Sequence, residues 1–183
     1  MAIYFIRHGQ SVFNAASLNG EPIPDIVDVP LTGEGRQQAR DLKTQVKELD
    51  IDHVICSPLT RAIQTALCAF EDVAPITIAS GHHEKLCSPC DMGRSPAALA
   101  RDFPGLSFGH LPEKWWYQTP AGRDGFEEEP DDHFFARVRA FERSLQTLSG
   151  KTVAIVGHGL VFKAITGKIM SNCELLPFEP QMV

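Results

Sequence analysis

Apolar and polar positions alternate with two different periods along the chain. Four short runs rich in β-branched and aromatic residues predict buried strands, at residues 3–6, 53–56, 76–79 and 151–156. In other stretches apolar positions recur every three or four residues, which predicts amphipathic helices. These stretches cover residues 10–16, 32–49, 58–70, 132–149 and 160–170.

Strands that alternate with helices are typical of α/β proteins. We predict a three-layer α/β/α sandwich around a mostly parallel sheet, formed by one domain over residues 1–183. A last edge strand is expected within residues 175–183, interrupted by Pro177 and Pro180. The regular alternation stops over about residues 85–130, and we expect this irregular excursion to form a lid or specificity loop.

Local signals mark the ends of several predicted helices. Thr32 is a candidate N-cap, and Ser57 followed by Pro58 predicts a second N-cap and the first helical position after it. Gly150 predicts the end of the helix over residues 132–149. We expect the acidic run at residues 127–132 to be solvated charge at the start of that helix.

Composition and charge argue against several classes of partner. A net charge of −6 speaks against nucleic acid as the main partner, because binding the phosphate backbone needs a basic face. No apolar run reaches the roughly 18 residues of a membrane span. Met1 and Ala2 lead straight into the first predicted strand with no charged region before it, so no signal peptide is expected. We therefore expect a cytoplasmic protein without a membrane partner.

The cysteines and the paired histidines do not predict a metal site. Five cysteines, an odd number, fit reduced thiols better than a disulfide framework. Cys87 and Cys90 lack the second ligand pair of a zinc site, and the adjacent His82 and His83 are expected to point apart in a loop. No metal is expected here.

Side chains capable of chemistry follow the carboxyl ends of the predicted strands. In chain order they are Arg7 and His8, then Arg61, Glu84 and His158. The carboxyl ends of parallel strands share one edge of a sheet, where α/β proteins bind ligands, so we expect these side chains to converge. Taken singly, each also fits an ordinary structural or surface role.

An anion is the expected ligand at this edge. Gly9 permits a sharp turn or a close approach to a ligand, and the helix over residues 10–16 would direct N–H groups at the same point. Beside an anion, a protonated imidazole acts as one more positive group. A neutral one acts as a nucleophile towards phosphorus.

Four motifs resemble the signature of the histidine phosphatase superfamily, the phosphoglycerate mutase-like proteins. They are Arg7-His8-Gly9-Gln10-Ser11 with Asn14, Pro30-Leu31-Thr32-x-x-Gly35-x-x-Gln38-Ala39, Ser57-Pro58-Leu59-x-Arg61-Ala62-x-x-Thr65-Ala66 and Val156-Gly157-His158-Gly159. In this order they cover the chain from end to end. The resemblance implies a phosphoglycerate mutase-like fold.

The resemblance also implies a role for each candidate residue. These are the nucleophile His8, the proton donor Glu84, and a phosphate pocket of Arg7, Arg61 and His158 with help from Asn14. Two arginines suit a phosphate dianion, and the chemistry requires neither metal nor cofactor. His8 must then present an unprotonated nitrogen, with its other nitrogen bonded to an acceptor such as a backbone carbonyl. For the proton donor, Asp91 and Glu127 remain alternatives.

Hydrolysis is the favoured activity. We predict a histidine acid phosphatase-type phosphoric monoester hydrolase that works without metal; the alternatives are a mutase of the same family and a non-catalytic module that binds phosphorylated ligands. A phosphorylated small molecule is the expected substrate, with a phosphoprotein as a further candidate. Within the excursion, Lys85, Arg94 and Arg101 are candidates for binding a second anionic group, and the aromatic residues 115–117 for an apolar one. The sequence does not predict an oligomeric state.

Overall fold

The computed structural model describes residues 2–118, 127–148 and 150–179. Its strands are β1 (Ala2–Arg7), β2 (His53–Cys56), β3 (Ile76–Ile78), β4 (Thr152–Gly157) and β5 (Leu175–Phe178). Its α-helices are α1 (Val12–Asn19), α2 (Gly33–Lys47), α3 (Thr60–Phe70), α4 (Pro96–Asp102), α5 (Asp131–Leu145) and α6 (Gly159–Thr166). A short 3-10 helix covers Pro89–Asp91. No helix in these ranges is both long and apolar enough to cross a membrane.

The five strands form one sheet in the order β3-β2-β4-β1-β5. The first four strands run parallel, and β5 pairs antiparallel with β1. Arg7 pairs with Gly157 and Cys56 pairs with Val156, so three strands end at the same level. This register brings the residues that follow each strand to one edge. The mostly parallel α/β sheet confirms the predicted fold class.

Alternating side chains of the sheet pack against two helical layers. On one face, Ile6 and Val156 belong to a buried cluster with the apolar residues of α2 and α3. On the other, Phe5 and Ile155 belong to a second cluster with the apolar residues of α5 and α6. Strands buried on both faces are expected in a parallel sheet covered by helices. The three layers therefore match the predicted sandwich.

Helix ends follow the sequence signals in part. The Thr32 hydroxyl accepts the N–H of Gly35 at 3.0 Å, as expected of an N-cap. However, α5 ends at Leu145 instead of near residue 149, and α6 ends at Thr166 instead of near residue 170. The early end of α6 has a clear cause, because Gly167 adopts a left-handed φ of 73° and its N–H bonds the carbonyl of Lys163.

The predicted cap of α3 was wrong. The helix begins at Thr60, and neither Ser57 nor Pro58 belongs to it. Its first N–H group is satisfied from a distant loop, because the carboxylate of Asp28 accepts the N–H of Thr60 at 2.7 Å. Ser57 is therefore free to contact another part of the chain.

The described part of the excursion is anchored by apolar side chains. Trp115 is buried in the same cluster as α2 and α3, and its indole N–H donates to the carbonyl of Arg94 at 2.9 Å. Residues 119–126 lie outside the described ranges, so the lid or specificity role stays a prediction. In β5, Pro177 lies within the strand instead of interrupting it, which an edge strand tolerates. Pro180 lies outside the described residues.

Candidate active site

A cavity of about 290 Å³, called the cup below, opens at the carboxyl edge of the sheet. Five of the six predicted site residues line it: Arg7, His8, Asn14, Arg61 and Glu84. They come from the end of β1, the start of α1, the first turn of α3 and the loop after β3. The predicted convergence at one sheet edge is therefore found.

His8 is held in one tautomer. Its Nδ1 lies 2.7 Å from the carbonyl oxygen of Gly9, and because a carbonyl only accepts, Nδ1 carries the hydrogen. Burial lowers the pKa of His8 well below its ordinary value, and the positive charge of Arg61 lowers it further. The ring is therefore neutral, and Nε2 keeps a lone pair for nucleophilic attack.

His158 adjoins His8 without lining the cup. The centroids of the two rings are 5.3 Å apart, and His158 is fully buried. Its Nε2 lies 2.7 Å from the Ser57 hydroxyl, and its Nδ1 is a buried polar atom that has no hydrogen-bond partner among the described residues. Burial and the charge of Arg61 lower the pKa of His158 well below its ordinary value. In the free protein this ring is neutral, so a nearby dianion is needed to protonate it.

The two arginines are fixed by acceptors of the protein itself. Arg61 is 3% exposed and donates to the carbonyl of Cys90 at 2.9 Å and to Asp91 Oδ1 at 2.7 Å. Such burial excludes the surface role that Arg61 had as an alternative. Arg7 donates from Nη1 to the carbonyl of Met170 at 2.6 Å. A guanidinium has five N–H donors, so these anchors leave others for an anion.

Glu84 is the carboxylate whose surroundings best suit a proton donor. Its two oxygens accept the N–H groups of Lys85 at 3.0 Å and Leu160 at 3.2 Å. Burial and, next, the negative charge of Asp91 raise the pKa of Glu84, while Arg61 opposes this rise. A raised pKa keeps a carboxyl group protonated nearer neutral pH. The proton-donor role itself stays a prediction.

The two alternative proton donors are placed differently. Glu127 is exposed and does not line the cup. Asp91 lines the cup, but its Oδ1 accepts from Arg61 and its Oδ2 accepts from the Cys87 N–H and the Ser88 hydroxyl. Asp91 therefore orients Arg61. The two residues are 30 positions apart in the chain, so the sequence alone does not reveal this pairing.

The start of α1 differs from the prediction. The N–H of Val12 donates to the carbonyl of Pro30, and the N–H of Asn14 donates to the Ser11 hydroxyl, so these two groups are already occupied. Gly9 likewise serves a backbone contact, because a Cβ there would lie 2.5 Å from the carbonyl oxygen of Gly35. The small residue allows α2 to pack against the β1–α1 turn.

An ion pair supports the loop that carries Glu84, and sequence reasoning missed it. Arg137 of α5 donates to the carbonyl of His83 at 2.8 Å and also pairs with Glu129 at 2.8 Å. Glu129 is fully buried, so the acidic run at residues 127–132 is not wholly solvated as predicted. The available signal was the spacing of four residues between Glu129, His133 and Arg137, which places these side chains near one another where α5 begins, two residues after Glu129.

The contacts and burial of Cys87, Cys90 and Arg94 indicate structural roles for these residues. Burial raises the pKa of both Cys87 and Cys90 to about 11, so neither is a thiolate at neutral pH although both line the cup. Arg94 pairs with Asp28 and Asp102 instead of facing the cup. Within the described ranges, no group of three or more histidine, cysteine or acidic side chains is arranged to hold a metal ion.

Fold and site together define an α/β protein with paired imidazole and guanidinium groups at the carboxyl edge of its sheet. The chain belongs to the histidine phosphatase superfamily (branch 1), whose family model matches residues 3–178. This match confirms the resemblance seen in the four motifs.

Two relatives cover most of the chain. The adenosylcobalamin/alpha-ribazole phosphatase of Escherichia coli is 24% identical over 173 residues, which is 93% of this chain and 79% of the relative. A protein named probable phosphoglycerate mutase GpmB, from Photorhabdus laumondii, is 30% identical over 176 residues, which is 93% of this chain and 75% of the relative. The family thus contains named phosphatases and mutases.

Solved structures share the fold at low sequence identity. The alpha-ribazole phosphatase from Shigella flexneri superposes with a TM-score of 0.66 at 20% identity, covering 98% of this chain and 90% of that one. A mycobacterial glucosyl-3-phosphoglycerate phosphatase in complex with VO3 gives a TM-score of 0.64 at 20% identity, covering 96% and 90%. At this identity the likeness concerns the fold alone.

Proposed function

We propose that this protein hydrolyses phosphomonoesters in two phosphoryl-transfer steps through His8. In the first, His8 Nε2 bonds to phosphorus, the ester P–O bond breaks, and Glu84 gives its proton to the departing oxygen. In the second, water attacks the phosphohistidine, Glu84 takes a proton from that water, and the N–P bond breaks to release inorganic phosphate. Both side chains return to their starting states.

The tautomer of His8 is the observation that carries the proposal. A nucleophile must present a lone pair, and the 2.7 Å contact from Nδ1 to the Gly9 carbonyl leaves Nε2 as the unprotonated nitrogen. Burial, which lowers the pKa of His8 well below its ordinary value, favours the neutral ring. A histidine with a purely structural role has no need to face a cavity lined by two arginines.

The surrounding groups suit the charge of the transferred phosphoryl group. Its equatorial oxygens carry negative charge in the transition state, and the donors of Arg7 and Arg61 would stabilise them. Asn14 would add a polar contact from α1. His158 would take up a proton once the dianion is bound and then add a further positive charge. No step is assigned to a metal, and EDTA should leave the rate unchanged.

A mutase reaction is the second candidate, supported by the relative named as a probable phosphoglycerate mutase. The two reactions differ in what accepts the phosphoryl group from His8. With labelled 3-phosphoglycerate as the substrate, hydrolysis yields labelled inorganic phosphate, whereas a mutase yields labelled 2-phosphoglycerate.

A phosphorylated small molecule remains the expected substrate, and cytoplasmic localisation remains an expectation.

The experiment that tests the proposal removes the nucleophile. His8→Ala should abolish hydrolysis of p-nitrophenyl phosphate, and rapid acid-free quenching of the native enzyme should trap acid-labile phosphate on His8. The matched control is His53→Gln, because His53 begins β2 at the opposite end of the strand from the cup. Circular dichroism checks that both variants fold. Retained turnover in folded His8→Ala would refute the proposal, and absence of turnover in the native protein would favour a binding module.

A further inference from the structure

A second cavity adjoins the cup. This cavity, called the groove below, has a volume of about 360 Å³, and the residues that matter here are Phe134, Phe135, Leu160, Ala164, Lys85 and Cys87. Cys87 and Leu160 line both the groove and the cup. The groove therefore lies directly beside a molecule bound in the cup.

Two apolar side chains that line the groove are exposed to solvent. Phe135 is 43% exposed and Leu160 is 41% exposed, whereas Phe134 beside them belongs to the buried core. The rings of Phe134 and Phe135 lie with their centroids 5.2 Å apart, so the exposed ring rests on a fixed base. Exposed apolar surface beside a site favours an apolar ligand, because binding removes that surface from water.

The proton donor and the groove are joined through one backbone group. The N–H of Leu160 donates to Glu84 Oε2 at 3.2 Å. In the proposed reaction, Glu84 protonates the departing oxygen of the substrate. Because Leu160 also lines the groove, the departing oxygen would lie on the side of the cup that faces the groove. The part of the substrate attached to that oxygen would then extend towards the groove.

Three charged residues line the groove: Lys85, Asp131 and Lys163, of which Lys163 is exposed, so that its charge is solvated. Lys85 lies 2.7 Å from Asp131 and 3.2 Å from Glu128, so its charge is balanced by neighbouring carboxylates. Lys85 was a candidate for binding a second anionic group, but these ion pairs leave it poorly placed for that role. The dominant feature of the groove is its apolar floor.

We infer that the natural substrates are phosphomonoesters whose leaving group carries an extended apolar or aromatic body, and that this body occupies the groove. The inference rests on the proposed function for the direction of the leaving group. It assigns Phe135 and Leu160 as specificity-determining residues. Small polar esters such as phosphoglycerates would fill the cup and leave the groove unused.

A series of n-alkyl phosphates tests this inference. Ethyl, butyl, hexyl and octyl phosphates all release primary alcohols of similar basicity, so the chemical step is constant and only the apolar length varies. Below their micellar concentrations, kcat/KM should rise by up to about fourfold per methylene until the groove is filled. Equal kcat/KM values along the series would overturn the inference while leaving the proposed hydrolysis intact.

A variant and a binding assay complete the test. Phe135→Ala should lower kcat/KM for octyl phosphate roughly tenfold more than for ethyl phosphate. The longer chain would cover the exposed part of the Phe135 ring, and the variant lacks this apolar contact. The control is Leu18→Ala, because Leu18 is an apolar residue in the last turn of α1 that is 79% exposed, against 43% for Phe135, and does not line the groove. This variant should leave the ratio of the kcat/KM values for octyl and ethyl phosphate unchanged.

The binding assay separates the two proposals. Alkylphosphonates bind without being hydrolysed, so calorimetric affinities for ethyl- and octylphosphonate report on the groove even if no ester is turned over. Tighter binding of octylphosphonate supports the groove whatever the enzymatic outcome. Equal affinities would overturn the inference on their own, and loss of turnover in every ester would count against the proposed function only.

Discussion

Removal of the Glu129 carboxylate should destabilise the fold and loosen the Glu84 loop. Glu129 is fully buried, and its oxygens accept hydrogen bonds from Arg137 Nη2 at 2.8 Å and Nε at 3.1 Å. His133 donates a third from Nδ1 at 2.6 Å. The change Glu129→Ala leaves the guanidinium of Arg137, which is only 14% exposed, without its counter-ion.

The structure sets the expected size of the effect. Removal of one partner of a buried ion pair destabilises by about 3–5 kcal/mol, because the other charge stays buried without compensation. Arg137 keeps the carbonyls of Gly81 and His83 as acceptors and has some access to water. We therefore expect the lower end, a loss of about 3 kcal/mol in the free energy of unfolding.

Urea unfolding followed by circular dichroism at pH 7 measures this loss. Glu128→Ala is the matched control, because Glu128 precedes Glu129 in the chain but its side chain is 62% exposed and pairs with Lys85 at 3.2 Å. An exposed pair of this kind contributes at most about 1 kcal/mol. Equal losses in the two variants, or a loss in Glu129→Ala below about 1 kcal/mol, would refute a stabilising role of the buried pair.

The pH dependence gives an independent check on the same pair. Burial alone would raise the pKa of Glu129, but the hydrogen bonds and charge of Arg137 outweigh it and lower this pKa. A carboxylate with a lowered folded pKa stabilises the fold above its unfolded pKa, and that contribution is lost as the pH falls through the folded value. The stability gap between the native protein and Glu129→Ala should therefore be complete at pH 7 and shrink in acid below the ordinary glutamate range.

Three further changes test other parts of the molecule. Glu84→Gln should slow the hydrolysis of alkyl phosphates about a hundredfold more than that of p-nitrophenyl phosphate. In the native protein, ionisation of Glu84 should make kcat/KM for alkyl phosphates fall as the pH rises, and this fall should disappear in the variant. Equal losses on both substrates would contradict the acid role. Ser57→Ala should reduce kcat/KM about tenfold and lower the free energy of unfolding by about 1–3 kcal/mol, because the buried Nε2 of His158 loses its hydrogen-bond partner. Gly35→Ala should lower the free energy of unfolding measured in urea by about 1–3 kcal/mol, because the new Cβ would lie 2.0 Å from a backbone carbonyl oxygen. Gly33→Ala is the control: its Cβ would have no atom within 4 Å, so this change should raise the free energy of unfolding by up to about 1 kcal/mol.

The parts of the fold that local chemistry controls were predictable. The apolar runs at β1, β2 and β4 correspond to strands, and Thr32 caps α2 as its side chain suggests. The convergence of the site residues followed from one rule, that parallel strands end at a common edge. These inferences need only neighbouring residues or the general geometry of α/β sheets.

Features that depend on distant partners were not predictable. Ser57 has the local signature of a helix cap, yet its hydroxyl bonds His158, which lies 101 residues further along the chain. Asp91 looked like a candidate acid, but its carboxylate pairs with Arg61. In both cases a tertiary contact decides the role of a residue whose own surroundings in the sequence suggest another.

The contacts that hold the cup also explain where its selectivity must arise. Arg61 is oriented by Asp91, Arg7 by the carbonyl of Met170, and His8 by its neighbouring carbonyl, and none of these contacts involves a substrate. A phosphate group therefore meets donors that are already in position, and little free energy is lost in ordering them. Because every phosphomonoester presents the same dianion to this arrangement, the cup by itself distinguishes poorly among esters. In the proposed reaction, discrimination must therefore come from the remainder of the substrate, for which we infer binding in the apolar groove beside the cup.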